Sequence, residues 1–281
     1  MQQFTRIQEI KDYLRQRQQS GEKIGFVPTM GYLHEGHLSL IRRAVKETNL
    51  AVVSIFVNPI QFGPAEDLEK YPRNLERDLN LIRQTGAVVV FTPDATEMYG
   101  DNHLTYVHVD KMTDILCGPF RPGHFQGVTT VVNKLLNIVR PDKAYFGQKD
   151  GQQAIVIQKM ARDLNMDVEI IACPTVRETD GLAMSSRNTY LSPEERNQAP
   201  VLYQALTTAK DLIQGGITDA ARIKKQMETM INSKTLAHIE YISLVSASSF
   251  QEITEVSGPV MIALAAKFGA TRLIDNIVVE V

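Results

Sequence analysis

The chain contains no tryptophan and only two cysteines, Cys117 and Cys173, among its 281 residues. Two isolated cysteines cannot build a disulfide framework, and this usage is typical of a reducing compartment. No run of about 18 apolar residues is present, which argues against a membrane-spanning helix. The first residues also lack the apolar core of a signal peptide. We therefore expect a cytoplasmic protein that makes no membrane contact.

A strong charge of either sign is also missing. The 30 lysines and arginines nearly balance the 32 aspartates and glutamates, which leaves a formal net charge of -2. No basic block of about five residues occurs, so neither a nucleic-acid tail nor an RNA-binding domain is expected. The apolar fraction of 43% and the charged fraction of 22% are ordinary for a globular protein of one large or two modest domains.

Short apolar runs alternate with helical patterns through the first part of the chain. The runs show little period-two alternation, as expected for strands that are covered on both faces. This alternation predicts an α/β fold with a Rossmann-like, doubly wound parallel sheet, in which ligands bind beyond the carboxyl ends of the strands. The predicted strands are residues 24–27, 51–57, 87–91, 143–146 and 168–172, and the predicted helices are about 37–49, 73–85, 126–139 and 151–165.

The pattern changes after about Pro174. Ser192 and Pro193 predict a helix start, with serine as the N-cap and proline at the first helical position. We predict a nucleotide- and substrate-binding domain at 1–175 and a smaller C-terminal α+β lid domain at 176–281. Within the lid domain we expect helices at about 193–214 and 218–232 and strands at 238–245, 259–265 and 271–281.

The most informative segment follows the first predicted strand and reads Met30-Gly31-Tyr32-Leu33-His34-Glu35-Gly36-His37. A strand, a turn with glycine and a helix start predict a phosphate site, because helix N-terminal N–H groups and the helix dipole favour anions. His34 and His37 are three residues apart and can share one face of the first turn. Gly36 leaves room for close approach of a ligand. A metal site, which would need further ligands, and a surface pair without function are the alternatives.

Two more polar segments follow predicted strands. Asn58 and Gln61 carry amides that need partners if buried, since an unpaired one costs about 1–3 kcal/mol; a small substrate with hydroxyl and carboxylate groups would supply them. In Gly147-Gln148-Lys149-Asp150, the lysine is a candidate for phosphate and the aspartate for ribose. Gln153, one turn into the next helix, is a candidate for the same cleft. Ordinary turns, with Gln61 exposed and Asp150 as a helix cap, explain these segments equally well.

Two loops and several acidic residues are further candidates. Met184-Ser185-Ser186-Arg187 can close over a triphosphate through hydroxyl and charge-assisted hydrogen bonds, although an ordinary solvated linker is the alternative. Arg121 and His124 stand among prolines and glycines, which suits an anion site or a rigid surface loop. Asp78 is a candidate for a position near Mg²⁺, which prefers oxygen ligands. Glu66-Asp67 is expected on a solvated helix face.

The order and spacing of these motifs resemble those of the pantothenate synthetase (pantoate–β-alanine ligase) family, within the nucleotidyltransferase superfamily. The resemblance extends from Phe26 to Asn276. His34-Glu35-Gly36-His37 matches the superfamily's His-x-Gly-His signature. Met184-Ser185-Ser186-Arg187 matches the position of its Lys-Met-Ser-Lys-Ser loop, with arginine in place of a lysine-type contact. Gln148 stands where many members of the family carry glutamate.

The resemblance implies an ATP-dependent ligation of pantoate and β-alanine in two steps through pantoyl adenylate, with Mg²⁺, in a homodimer. The implied catalytic residues are His34, His37, Lys149, Ser185, Ser186 and Arg187. The implied ATP-binding residues are Met30, Gly31, Tyr32, Leu33, His34, Glu35, Gly36, His37, Gly147, Gln148, Lys149, Asp150, Val176, Met184, Ser185, Ser186 and Arg187. The implied residues for pantoate and β-alanine are Met30, Asn58, Gln61 and Gln153.

Two rival functions fit part of the pattern. Another adenylyl- or cytidylyltransferase of the same superfamily would share the histidine turn, but Asn58, Gln61 and Gln153 favour a small hydroxy acid as substrate. A nucleotide-binding regulatory protein would bind ATP and release no pyrophosphate. The lysine, the two histidines and the serine loop favour catalysis over regulation.

Overall fold

A computed structural model describes residues 1–64 and 66–280 of the chain. The chain divides into two compact units. The first comprises Met1–Thr113 and Arg121–Pro174, and the second comprises Asp114–Phe120 and the residues from Thr175 onward. The sequence pattern does not predict that the short segment Asp114–Phe120 groups with the second unit. The nucleotide-binding and lid roles of the two parts stay predictions.

The first unit is built on a parallel sheet whose strands run in the order β1-β4-β3-β2-β5-β6. The predicted doubly wound α/β sheet is therefore confirmed. The strand order reverses between β2 and β5, and ligands of such sheets bind beyond the carboxyl ends of the strands at this reversal. The strands are β1 (Gln2–Phe4), β2 (Ile24–Thr29), β3 (Leu50–Ile55), β4 (Val89–Phe91), β5 (Lys143–Gly147) and β6 (Glu169–Cys173).

Helices cover both faces of this sheet. Phe26 of β2 packs in one apolar cluster with side chains of α1, α5 and α6, whereas the next residue, Val27, packs in a second cluster with those of α2 and α3. Successive side chains of a strand point to opposite faces, so a central strand covered on both faces is apolar at consecutive positions. The helices are α1 (Ile7–Gln19), α2 (Glu35–Glu47), α3 (Leu75–Thr85), α4 (Ala95–Tyr99), α5 (His124–Val139) and α6 (Gly151–Asp163).

Three elements of the first unit are missing from the sequence prediction. β1 has three residues, and α4 has five, so neither is long enough to show a hydrophobic period. α1 is largely polar and fully buries only Ile10 and Leu14. Among the described residues, no helix combines the length and the apolar character needed to cross a bilayer.

The second unit contains an antiparallel sheet in the order β7-β8-β9. Its apolar core takes side chains from two helices and from this sheet. The helices are α7 (Pro193–Gln198), α8 (Val201–Gln214) and α9 (Ala220–Asn232), and the strands are β7 (Ala237–Ser246), β8 (Val260–Phe268) and β9 (Thr271–Val279). Val281, the last residue of the predicted final strand, lies outside the described residues.

The first helix of the second unit begins where the sequence predicts, but two helices stand where one was predicted. Ser192 caps α7 by accepting a hydrogen bond from the Glu195 N–H, and Pro193 occupies the first turn. The single helix predicted at 193–214 is wrong, because one helix ends at Gln198 and the next begins at Val201. Pro200 supplies the reason: it has no N–H group to continue the helical hydrogen bonds.

We predict that Gly127→Ala destabilises the protein. Gly127 of α5 faces a short 3-10 turn, Pro59–Gln61, and an added Cβ would lie 2.5 Å from the Gln61 Cα and closer still to the Ile60 carbonyl oxygen. These are backbone atoms, so the overlap costs about 1–3 kcal/mol and lowers the melting temperature by several degrees. Gly147→Ala is the control, since its Cβ would meet nothing within 4 Å. Equal melting temperatures would contradict this close packing.

Candidate active site

The turn that follows β2 has an unusual backbone. Gly31 and Tyr32 both have positive φ angles, of 84° and 48°, a region that glycine adopts readily and other residues rarely. A Cβ at Gly31 would also lie 3.1 Å from the Asp78 Oδ2. The turn leads directly into α2, whose N-cap is His34. The Met30–His37 segment predicted from the sequence therefore joins a strand to a helix, as expected.

Asp78 of α3 supports this turn through both of its carboxylate oxygens. Its Oδ2 accepts a hydrogen bond from the Tyr32 N–H at 2.7 Å, and its Oδ1 accepts one from the Leu33 N–H at 2.8 Å. The side chain is 1% exposed. Burial raises the pKa of the carboxyl group, and these two N–H groups partly oppose the shift. Both oxygens accept hydrogen bonds from the backbone, so Asp78 supports the turn; its position near Mg²⁺ stays a prediction.

The same turn fixes the protonation of both imidazoles. His34 Nδ1 accepts from the Gly36 N–H at 3.2 Å, and His37 Nδ1 accepts from the His34 N–H at 3.3 Å. A ring nitrogen that accepts a hydrogen bond carries no proton, so Nε2 carries the proton in each ring. The ring centroids are 4.1 Å apart, which confirms that the two histidines share one face. The turn thus presents two neighbouring Nε2–H donors.

Backbone N–H groups of the turn are less available to a phosphate than the sequence suggests. The Gly31 N–H bonds to Thr29 Oγ1, and those of Tyr32 and Leu33 bond to Asp78. The His34 and Gly36 N–H groups bond to the two imidazoles. These N–H groups therefore hold the turn together, and its role as a phosphate site stays a prediction.

Lys149 lies close enough to His37 to act on it electrostatically. Burial, followed by the electrostatic influence of His34 and Lys149, lowers the pKa of His37 well below its ordinary value of 6.5. His37 is therefore neutral at neutral pH, in agreement with its hydrogen bonding. Lys149 follows β5, and β5 pairs with β2, so the two predicted phosphate motifs adjoin at the reversal of the strand order. Gln153 lies on the first turn of α6 and is half-buried.

Asn58 and Gln61 follow β3, the other neighbour of β2. Asn58 Nδ2 donates to Gln61 Oε1 and to the Gly127 carbonyl, each at 3.1 Å, and Asn58 Oδ1 accepts from the Tyr99 hydroxyl at 2.5 Å. Asn58 is 1% exposed. The nitrogen and the oxygen of its amide both have partners within the protein, so Asn58 supports Gln61; its contact with substrate stays a prediction.

Gln61 retains the donor that a substrate needs. Its Oε1 is taken by Asn58, and its Nε2 lies 2.9 Å from the Met30 sulfur. An amide nitrogen has two N–H donors and a thioether accepts weakly, so the second N–H can bond to a ligand. Met30 and Gln61, predicted as substrate-binding residues from separate segments, therefore lie together.

The serine loop belongs to the second unit and is held by its own hydrogen bonds. The Met184 N–H donates to the Val176 carbonyl, which brings these two predicted nucleotide-binding residues together. Ser185 accepts from the Arg187 N–H and caps a short 3-10 helix, Ser186–Tyr190. The Ser186 side chain is buried. The segment is therefore a hydrogen-bonded turn, and its contact with a triphosphate stays a prediction.

The sequence suggests either an anion site or a rigid surface loop for Arg121 and His124. It gives no signal that the Tyr99 hydroxyl bonds to Asn58. Arg121 makes two hydrogen bonds with Glu66, at 2.8 and 2.5 Å. Glu66 was expected on a solvated face, but its side chain is 22% exposed and paired. The guanidinium is thus committed to a carboxylate inside the protein. Only tertiary packing reveals the partners of these residues.

The geometry of Asp78 generates a prediction about stability. Asp78→Asn replaces one acceptor oxygen with an N–H₂ group, so a buried backbone N–H of Tyr32 or Leu33 loses its partner at a cost of about 1–3 kcal/mol. We expect the melting temperature to fall by several degrees. Asp163→Asn is the matched control, because that exposed carboxylate pairs with Lys159 along one helix, and such pairs contribute about 0–1 kcal/mol. Equal melting temperatures in the two variants would contradict the supporting role.

The part of the chain that the structure describes holds no group of three or more histidine, cysteine, aspartate or glutamate side chains that could bind a metal ion. The metal-site alternative for His34 and His37 therefore gains no support from neighbouring ligands. Both rings instead hydrogen-bond to the backbone through Nδ1.

Comparison with known proteins identifies the family of the chain. Residues 2–278 match the model of the pantoate-beta-alanine ligase family. A pantothenate synthetase of Caldicellulosiruptor saccharolyticus is 58% identical over 98% of both chains. The crystal structure of pantothenate synthetase from Thermus thermophilus has 43% identity, a TM-score of 0.94 and 99% coverage of both chains. A crystal structure of pantoate-beta-alanine ligase from Francisella tularensis was solved in complex with beta-gamma ATP and beta-alanine. It has 34% identity and a TM-score of 0.81, and the match covers 99% of this chain and 97% of the other. The chain belongs to the pantoate–β-alanine ligase family.

Proposed function

We propose that this protein condenses pantoate with β-alanine to give pantothenate, with conversion of ATP to AMP and pyrophosphate. The observation that carries the proposal is the pair of Nε2–H donors of His34 and His37, which lies with Lys149 at the reversal of the strand order. Membership of the family supports the same reaction. The relative from Francisella tularensis was solved with an ATP species and β-alanine, two of the three proposed substrates.

In the proposed first step, a carboxylate oxygen of pantoate attacks the α-phosphorus of ATP. A new bond forms between that oxygen and phosphorus, and the bond to the bridging oxygen breaks, so that pyrophosphate leaves with the electron pair. Negative charge grows on the phosphate oxygens during this step. His34, His37 and Lys149 are proposed to donate to those oxygens, and donors fixed before the reaction are the most effective kind.

The acid is proposed to bind beside Met30 and Gln61. The second N–H of the Gln61 amide would donate to a pantoate oxygen, while the Met30 side chain would pack on its methyl groups. Gln153 of α6 is proposed as the second amide for the hydroxyl groups. The buried position of Gln61, 7% exposed, favours a ligand that replaces water with its own acceptors.

The nucleotide is proposed to bind along the ends of β2 and β5. Gly147, the last residue of β5, leaves open space where a Cβ would be, and Asp150 would bond to ribose. Val176, Met184, Ser185, Ser186 and Arg187 are proposed to bind the sugar and the leaving pyrophosphate. Mg²⁺ is proposed to arrive as part of the MgATP substrate, held chiefly by phosphate oxygens.

In the proposed second step, the amine of β-alanine attacks the acyl carbon of pantoyl adenylate. The carbon–nitrogen bond forms, the bond from carbon to the AMP oxygen breaks, and the amine loses a proton. Cys117 and Cys173 need no nucleophilic role, because the acyl group stays on AMP until the amine arrives. A homodimeric assembly and a cytoplasmic location are also proposed, on the family resemblance and the sequence composition respectively.

The direct test of the function follows pyrophosphate during incubation with MgATP and pantoate. Without β-alanine we expect a burst of about one pyrophosphate per active site, because the acyl adenylate remains bound. Addition of β-alanine should start steady turnover that yields AMP and pantothenate. Binding of ATP without pyrophosphate under either condition would contradict the ligase function and favour the regulatory alternative.

A pair of variants tests the Nε2–H donor of His37. Glutamine can place an N–H₂ group where the histidine Nε2 stands, whereas asparagine is too short. We expect the burst rate of His37→Asn to fall about 10²–10³-fold, the cost of one well-placed donor, and that of His37→Gln to fall far less. Unchanged melting temperatures are the control for folding. Equal losses in the two variants would refute the role of the Nε2–H donor.

A further inference from the structure

His124 connects a charged pair to the backbone of Gln61. It is the first residue of α5 and is 7% exposed. Its Nε2 lies 2.9 Å from Arg121 Nη1, and its Nδ1 lies 2.9 Å from the Gln61 carbonyl oxygen. A guanidinium can only donate, so Nε2 accepts and Nδ1 carries the proton. His124 therefore donates to Gln61, and Arg121 sets the tautomer that allows it.

Arg121 is itself held in place. Its Nε and Nη2 bond to the two oxygens of Glu66 at 2.8 and 2.5 Å, a bidentate geometry that fixes the guanidinium plane. Burial, assisted by the neighbouring Arg121, lowers the pKa of His124 to about 4. The ring is therefore neutral at neutral pH, so Nε2 remains an acceptor for Arg121 and Nδ1 remains a donor to Gln61.

A second set of contacts fixes the side chain of Gln61. The Tyr99 hydroxyl donates to Asn58 Oδ1 at 2.5 Å, which leaves Asn58 Nδ2 as the donor to Gln61 Oε1. The Gln61 oxygen therefore points towards Asn58, where it accepts a hydrogen bond, and the Gln61 Nε2 points towards Met30. Gly127 allows α5 to approach this backbone at a distance that no side chain permits.

We propose that Arg121, His124 and Tyr99 are positioning residues for Gln61, which hold its amide as a donor for an oxygen of the acid substrate. His124 holds the Gln61 backbone, and Tyr99 selects the orientation of the amide through Asn58. The role of Gln61 as the ligand for the acid rests on the proposed function. The three guanidinium nitrogens of Arg121 and the Nδ1–H group of His124 each bond to a group within the protein, so the proposal assigns both side chains to positioning and not to an anion site.

The test compares two amides at position 124. Asparagine can place an N–H₂ group where the histidine Nδ1 stands and donate to the Gln61 carbonyl, whereas glutamine reaches the Nε2 position beside Arg121. We expect His124→Gln to raise the KM for pantoate about tenfold, as for the loss of one buried hydrogen bond. The KM for ATP should stay within about twofold. His124→Asn should restore most of the pantoate affinity.

Tyr99→Phe provides a second variant if substitution of His124 prevents folding. It keeps the ring and removes only the hydroxyl, so we expect a rise of about threefold or more in the pantoate KM and little change for ATP. Equal rises in both KM values, an unchanged pantoate KM in folded variants, or no advantage of asparagine over glutamine would overturn the proposal. Wild-type protein is the control for the function, because failure of wild type to consume pantoate would contradict the ligase assignment and not the positioning.

Discussion

The carboxylate of Asp78 is the constraint on which the proposed phosphate site depends. By accepting the N–H groups of Tyr32 and Leu33, it holds two consecutive residues of the turn in place, where Gly31 and Tyr32 have positive φ angles. The chain can then enter α2 at His34, and the helix start can direct both imidazoles. The cost of burying a carboxylate is offset by hydrogen bonds to both oxygens.

A consistent pattern of donors follows from this arrangement. His34 and His37 use Nδ1 to accept backbone N–H groups and present Nε2–H. Gln61 has its oxygen occupied by Asn58 and retains N–H donors. Phosphate and carboxylate oxygens only accept hydrogen bonds, so fixed neutral donors and one lysine match these groups without the cost of gathering many cations.

The sequence predicts the fold better than the contacts within the site. Apolar runs at consecutive positions identified β2, β3 and β5 because both faces of these strands are covered. The helical periodicity of apolar residues did not reveal α1, because this helix buries few side chains. It also did not reveal the end of α7 before Pro200, because the apolar pattern continues into α8. The predicted motifs after β2 and β5 adjoin because parallel strands bring their carboxyl ends to one edge of the sheet.

What the sequence could not supply is the pairing of polar groups that are distant in the chain. Asp78 carries no local sign that it will bond to Tyr32, and Glu66 carries none that it will pair with Arg121. Asn58 was predicted to contact substrate because amides need partners, but other residues of the protein supply those partners. Such assignments depend on distances between segments, which composition and spacing do not determine.

The central claim is that Nδ1 of His34 and Nδ1 of His37 each accept a backbone hydrogen bond, so that each ring carries its proton on Nε2. Nitrogen-15 NMR of histidine-labelled protein tests this directly, with His34→Gln and His37→Gln variants to assign the two rings. The account predicts, at pH 7, an unprotonated Nδ1 and a protonated Nε2 in each ring. An imidazolium ion or an Nδ1–H tautomer in either ring would contradict it.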